Sequence, residues 1–200
     1  RGALPATLTT PGAVASWCAA HAAFGRRPLA DNLHCAIELA RAGFPVTERL
    51  ARWTALVLAE GALNESAQAI FAPAGKAPRV GSVLRNVHLS RTLERIAADG
   101  HAGYYAGDTA TGLAAFARDR AGFFDEEDLK QQIAAWGEPI CSTYRDVTLY
   151  ETPPPTQGLC VLEMLNLIEE FDVGAWDFMG PDHVHHLVQA KQIAYNDRDH

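Results

Sequence analysis

The chain has 200 residues, 48% of them hydrophobic and 20% charged, proportions that fit a globular protein and exclude a disordered one. Lysine plus arginine is 17 against 24 for aspartate plus glutamate, and the net charge of −7 argues against a nucleic-acid partner, which would need clustered cations. No uninterrupted apolar run approaches the ~20 residues of a membrane span.

Apolar residues at steps of three and four predict a series of helices. The first covers about Pro11 to Phe24, with Pro11 in its first turn and Val14, Trp17 and Cys18 on one face. The second carries Leu33, Ile37, Ala40 and Phe44, with Gly43 as its terminating glycine. From Glu48 to Glu60 the stripe is Leu50, Trp53 and Val57. A polar loop is expected next, with Phe71 isolated in it and an exposed, turn-rich string from Ala72 to Pro78. Helix resumes with Leu89, Leu93 and Ile96 and stops at Gly100, and a shorter helix is expected over Asp108 to Arg118. Asp125 then reads as an N-cap, with Asp128 three residues on in a variant of the capping box and Leu129, Ile133 and Trp136 sharing a face behind it.

The texture changes at Pro139. Ile140 to Thr143 and Val147 to Glu151 read as two short strands around a turn at Tyr144-Arg145-Asp146, and Pro153-Pro154-Pro155 must end the second. Thr156-Gln157-Gly158 opens the most apolar helix, with Leu162, Leu165 and Ile168 in one stripe and burial expected on most sides. The last helix runs from about Pro181 to Tyr195 on Val184, Leu187, Val188 and Ala194. The expected fold is mainly α with one short β-hairpin around residues 140–151, and residues 1–200 are read as one helical domain.

The motifs that could carry chemistry each have a plainer explanation. His183 and His186 are i, i+3 on a helix and could meet one metal, with His185 and Asp182 beside them, but a third ligand is missing. Asp197, Asp199 and His200 lie ~20 Å farther along a straight helix. Gly103-Tyr104-Tyr105-Ala106-Gly107 lacks the spacing of a phosphate loop and reads as a loop entering a helix. Glu126, Glu127 and Asp128 suit the positive end of a helix dipole. No G-x-S-x-G elbow occurs, so serine, histidine and aspartate do not announce a triad. Of the four cysteines, Cys18, Cys35 and Cys160 sit in apolar helical segments, where burial and reduction are expected; Cys141 lies in the first strand, and no C-x-x-C pair or disulfide scaffold is present.

Several strings together resemble the large subunit of γ-glutamyltransferases (γ-glutamyltranspeptidases). They are Thr10-Pro11-Gly12-x-Val14 with Trp17 and Phe24-Gly25, Ala36-Ile37-x-Leu39-Ala40-x-x-Gly43-Phe44-Pro45-Val46, and Leu93 through Gly100 with Tyr104-Tyr105-Ala106-Gly107. Glu127-Asp128-Leu129 and Tyr144-Arg145 continue the series. The most specific stretch is Pro153-Pro154-Pro155-Thr156-Gln157-Gly158 followed by Leu165-Asn166-Leu167-Ile168-Glu169-Glu170-Phe171-Asp172. Ala190-Lys191 and Ala194-Tyr195-x-Asp197-Arg198 complete it, in the family's order over essentially all 200 residues.

The resemblance implies the helix-rich lobe of an N-terminal-nucleophile hydrolase, beside a catalytic αββα sandwich. The family's precursor cuts itself in two, and the new N-terminal threonine of the small subunit attacks with its own α-amino group as base. Substrates are γ-glutamyl compounds, glutathione commonly, or related small amides. The nucleophile and oxyanion hole of the family fall downstream of this chain and the carboxylate-binding arginine upstream; neither Arg1 nor the Thr9-Thr10 pair takes those roles. No catalytic, substrate-binding or metal-binding residue and no cofactor is therefore assigned. Thr156 stands where the family more usually has serine, and the Arg1-Gly2-Ala3-Leu4 approach looks like the diverged γ-glutamyltransferase-like branch, which places glutathione in question more than the hydrolase class.

On this reading Arg1 and His200 are cut points within a larger precursor. The expected partners are the rest of that precursor and, through an exposed apolar face, a second copy. Asp197 and Arg198 are expected to pair with each other or to contact the sandwich. With no leader legible, the cytoplasm is favoured over the periplasm. The alternatives are a non-catalytic helical binding or scaffold domain, and a metal hydrolase built on His183 and His186.

Overall fold

The structure, a computed structural model, describes residues 8–200. Arg1 and the Arg1-Gly2-Ala3-Leu4 approach lie outside the described residues. The fold is mainly α, as the sequence predicts, and divides into two compact units, one ending at Ala134 and one spanning Ala135–His200. No helix among the described residues is long and apolar enough to cross a membrane.

The first unit holds α1 (Ala13–Phe24), α2 (Leu29–Ala42), α3 (Glu48–Ala59), α4 (Glu65–Phe71), α5 (Val87–Asp99), α6 (Ala102–Tyr105), α7 (Gly107–Arg118) and α8 (Glu126–Gln131). Their starts are chemically marked. Thr47, Asn64 and Asn86 each accept a hydrogen bond from the backbone N–H three residues on, at 3.2, 2.9 and 3.0 Å. At α8 the expected box is complete: Asp125 accepts from the Glu127 and Asp128 amides, and Asp128 accepts from the Asp125 amide at 2.9 Å.

The core of this unit joins Val14, Ala15, Ile37, Leu93, Ile96, Tyr105, Ala110, Ala114 and Leu129. α2 packs on α5, α5 on α6, α6 on α7 and α7 on α8. Gly103 makes the α5–α6 approach possible, because a Cβ there would lie 2.1 Å from the Arg95 carbonyl oxygen. The Tyr105 hydroxyl donates to the Pro11 carbonyl at 2.7 Å and accepts from the Ala15 amide at 3.1 Å, tying α1 to the core.

The second unit holds β3 (Ile140–Tyr144), β4 (Val147–Glu151), α9 (Gly158–Glu169), a short 3₁₀ turn at Val173–Ala175 and α10 (Pro181–Asp199). β3 and β4 form an antiparallel hairpin with Tyr144 opposite Val147, so Arg145 and Asp146 make a two-residue turn. Arg145 takes a φ of 52°, the left-handed region that such tight hairpins need. α9 packs on β3 and α10, and Cys160, Leu162, Ile168, Ala190 and Ala194 form its buried set.

Several local expectations are corrected. The loop around Phe71 is the helix α4, capped by Asn64; seven residues are too few to show a period. Ala72, expected exposed, is buried at 1%. A second, two-residue strand pair, β1 (Phe44–Pro45) with β2 (Val83–Leu84), accompanies the expected hairpin. Gly103 to Tyr105 belong to the short α6 rather than to a loop. α8 stops at Gln131, so only Leu129 of its expected face is buried, while Ile133 and Trp136 lie outside the helix and exposed. α10 continues past Tyr195 to Asp199. α9 is buried on one side only, leaving Leu159 and Val161 exposed, and on α10 Val184, Leu187 and Val188 are exposed too. Among the cysteines Cys160 is buried, Cys18 is half-buried, and Cys35 and Cys141 are exposed.

Candidate functional site

α9 carries the densest polar chemistry of the second unit. Glu163, Asn166 and Glu169 recur every three residues, the spacing that puts them on neighbouring turns of one helical face. Each reaches a different element. Glu163 hydrogen-bonds to Asp197 on α10. Asn166 accepts from the Ser142 hydroxyl on β3. Glu169 accepts from the Arg145 amide at the hairpin turn, and the Arg145 guanidinium donates to the Phe171 carbonyl at 3.3 Å. In the sequence, Asn166 and Glu169 stand out only as members of the Leu165–Asp172 string. Their three-residue spacing on an otherwise apolar helix was the signal that they brace the hairpin.

Beside this seam lies an open groove of about 410 Å³, bordered by Cys141, Ser142, Pro154, Glu163, Asn166 and Asp197. A hydrogen bond between two carboxyls requires one proton between them, and Glu163 accordingly titrates above its ordinary 4.5. The Asp197 hydrogen bond is the leading cause, followed by partial burial and the Asp197 charge. The pair can hold a proton, but the Ser142 hydroxyl donates to Asn166 and to neither carboxyl group of the groove. The arrangement positions elements; it does not assemble a nucleophile with its base.

The entry into α9 explains the proline-glycine string. The Thr156 hydroxyl donates to the Thr152 carbonyl at 2.9 Å and accepts from the Gly158 amide at 3.4 Å, work that a serine hydroxyl at that position performs equally. A Cβ on Gly158 would meet the Thr152 carbonyl oxygen at 2.6 Å, so glycine is required for the helix to start against the end of β4. Arg198 pairs with Asp199 at 2.7 Å and not with Asp197, which correlates with the engagement of Asp197 by Glu163.

The histidines have structural partners. His183 Nδ1 accepts the Met179 amide at 2.9 Å, and His186 Nδ1 lies 2.8 Å from the Asp182 carbonyl. The His186 ring stacks on Trp176 at 4.5 Å and packs against Phe171 at 4.6 Å, while Phe178 lies 5.4 Å from His183. They pin the turn before α10. Among the described residues no three histidine, cysteine, aspartate or glutamate side chains converge as a metal would require. Glu126, Glu127 and Asp128 start α8, Asp108 pairs with Arg95 at 3.1 Å, and Thr9 and Thr10 precede α1 outside any helix.

The family model described as Gamma-glutamyltranspeptidase matches residues 2–200. The chain is 35% identical over 192 residues to the Acylase ACY 1 proenzyme of Pseudomonas sp. (strain V22), covering 96% of this chain and 34% of that protein. It is 33% identical over 191 residues to the Glutathione hydrolase proenzyme of Escherichia coli (strain K12), covering 94% and 33% respectively. Among solved structures, cephalosporin acylase from Bacillus halodurans superposes with a TM-score of 0.87 at 33% identity, over 98% of this chain and 37% of that one. Helicobacter pylori gamma-glutamyltranspeptidase gives 0.87 at 25% identity, over 94% and 55%. The chain spans about a third of the length of the curated relatives it matches. With the family model matching residues 2–200, this chain belongs to the gamma-glutamyltranspeptidase family.

Proposed function

We propose that the chain is part of the large subunit of a γ-glutamyltransferase-like N-terminal-nucleophile hydrolase, inactive alone. Its task is mechanical: it supplies packed helices and a braced hairpin against which the rest of the polypeptide builds and walls the catalytic site. The acyl-accepting nucleophile is a threonine outside this chain, freed as a new N-terminus by self-cleavage and activated by its own α-amino group. The substrate is a γ-glutamyl compound or another small amide, whose acyl group passes to water or to an amine.

The observation that carries this reading is a near-complete match of this chain to about a third of proteins named as proenzymes. The exposed Leu159, Val161, Val184, Val188 and Ile193 on α9 and α10 support it, because they offer apolar surface for the remainder of the precursor.

The test is to express the complete gene, look for cleavage into two chains, and assay chromophore release from a γ-glutamyl anilide. Glutathione and an acylated cephalosporin should be run in parallel, since the relatives include a glutathione hydrolase and a cephalosporin acylase. Self-cleavage with turnover of any of these amides is expected. A complete protein that stays in one piece and cleaves none of them overturns the proposal.

A further inference from the structure

The first unit carries a basic, partly apolar groove that the proposed function does not use. It has a volume of about 550 Å³ and is lined by Phe71 and Val83 on its apolar side and by Lys76, Arg79 and Arg85. No acidic residue lines it. The cause is legible in the sequence: residues 66–93 contain no aspartate or glutamate, although the whole chain has a net charge of −7. Arg85 donates to the Ala42 carbonyl at 2.8 Å, which fixes its guanidinium at the groove. Lys76 and Arg79 are exposed and form no ion pair among the described residues.

The same unit presents the complement. Phe123 is 77% exposed at the end of the turn before α8, and Asp125, Glu126, Glu127 and Asp128 follow it. Asp125 and Asp128 are held by the capping box, and Glu127 lies 4.0 Å from Lys130 and accepts from Gln131. Glu126 has no ion pair or side-chain hydrogen bond among the described residues, so its carboxylate is available. This segment is tied to α8 by its capping box, apolar at one end and strongly anionic at the other. Phe24 and Phe178, the other highly exposed phenylalanines, lack such a run, and Phe178 already sits against His183.

We propose that this protein self-associates by seating the Phe123–Asp128 segment of one copy in the Phe71–Arg85 groove of another, Phe123 against the apolar side and the acidic residues against Lys76 and Arg79. The proposal is independent of the catalytic reading, because neither surface includes any group assigned to the reaction. Charge pairs at an exposed rim steer association and fix its register, and salt weakens them.

The test is sedimentation of the complete gene product at ionic strengths of about 0.05 and 0.5 M. Association that weakens with salt is expected. Lys76→Glu with Arg79→Glu should weaken it at least ~10-fold, as should Glu126→Lys with Glu127→Lys, and Phe123→Ala should weaken it at both salt concentrations. Phe178→Ala should leave it unchanged. Combining the two charge reversals should restore association, which also shows that the variants fold. A single-copy mass for the unaltered protein at low salt overturns the proposal, and so does association that survives the groove reversal or is not recovered in the combined variant.

Discussion

Tyr105 shows what one buried hydroxyl does in this fold. It is 2% exposed and serves two backbone groups, the Pro11 carbonyl and the Ala15 amide, some 90 residues away in sequence. Tyr105→Phe keeps the ring and leaves both groups without a partner, so unfolding in urea should show a loss of about 1–3 kcal/mol. Burial is the leading reason that the phenol titrates above its ordinary 10.0. The neutral form is therefore the one the fold favours. Its contribution is fully present below pH 10.0 and disappears as pH rises through the raised value, so the unaltered protein should lose stability in that alkaline window faster than Tyr105→Phe. The sequence showed Tyr104-Tyr105 only as a short polar-aromatic string between glycines. The partner atoms lie too far away along the chain for any local pattern to name them, whereas the Asp125 cap, whose partners lie two and three residues on, was legible in full.

At the level of elements, local periodicity located the long helices, and the failures came where an element is short or one-sided. α4 and α6 have seven and four residues, too few for a hydrophobic period to emerge. The apolar composition of α9 predicts burial on most sides, yet a polar face at Glu163, Asn166 and Glu169 braces α10 and the hairpin. That face gives a pH-dependent prediction. Glu163 titrates above 4.5 because Asp197 shares its proton, so the folded state holds that proton more tightly than the unfolded chain does. The stabilisation is complete below 4.5 and is lost as pH rises through the raised value. Glu163→Gln donates the same hydrogen bond at every pH. Thermal unfolding should therefore show the variant gaining on the unaltered protein as pH rises above 4.5, and parallel curves would contradict the shared proton. Between α5 and α6 the constraint is steric. Gly103→Ala puts a Cβ 2.1 Å from the Arg95 carbonyl oxygen, a backbone atom that cannot swing aside, and a loss of about 1–3 kcal/mol is expected on urea unfolding.

For the molecule as a whole, exposed apolar surface is the deciding quantity. Large side chains stand in solvent in each unit: Trp53 is 53% exposed and Ile133 75% in the first, and Tyr150 is 66% exposed and Phe178 86% in the second. Isolated exposed apolar residues are ordinary, but a set of this size calls for a covering partner. The remainder of a polypeptide some three times as long is the partner that the relatives suggest. Residues 1–200 expressed alone should then bind a hydrophobic dye such as anilinonaphthalene sulfonate several-fold more strongly than an equal concentration of the complete protein. They should also show no γ-glutamyl anilide turnover. Supplying the missing polypeptide in trans should lower the dye signal as the apolar surface is covered. Equal dye binding by the piece and the complete protein would mean that these surfaces stay bare in both, and the scaffold role proposed for the chain would fail with that result.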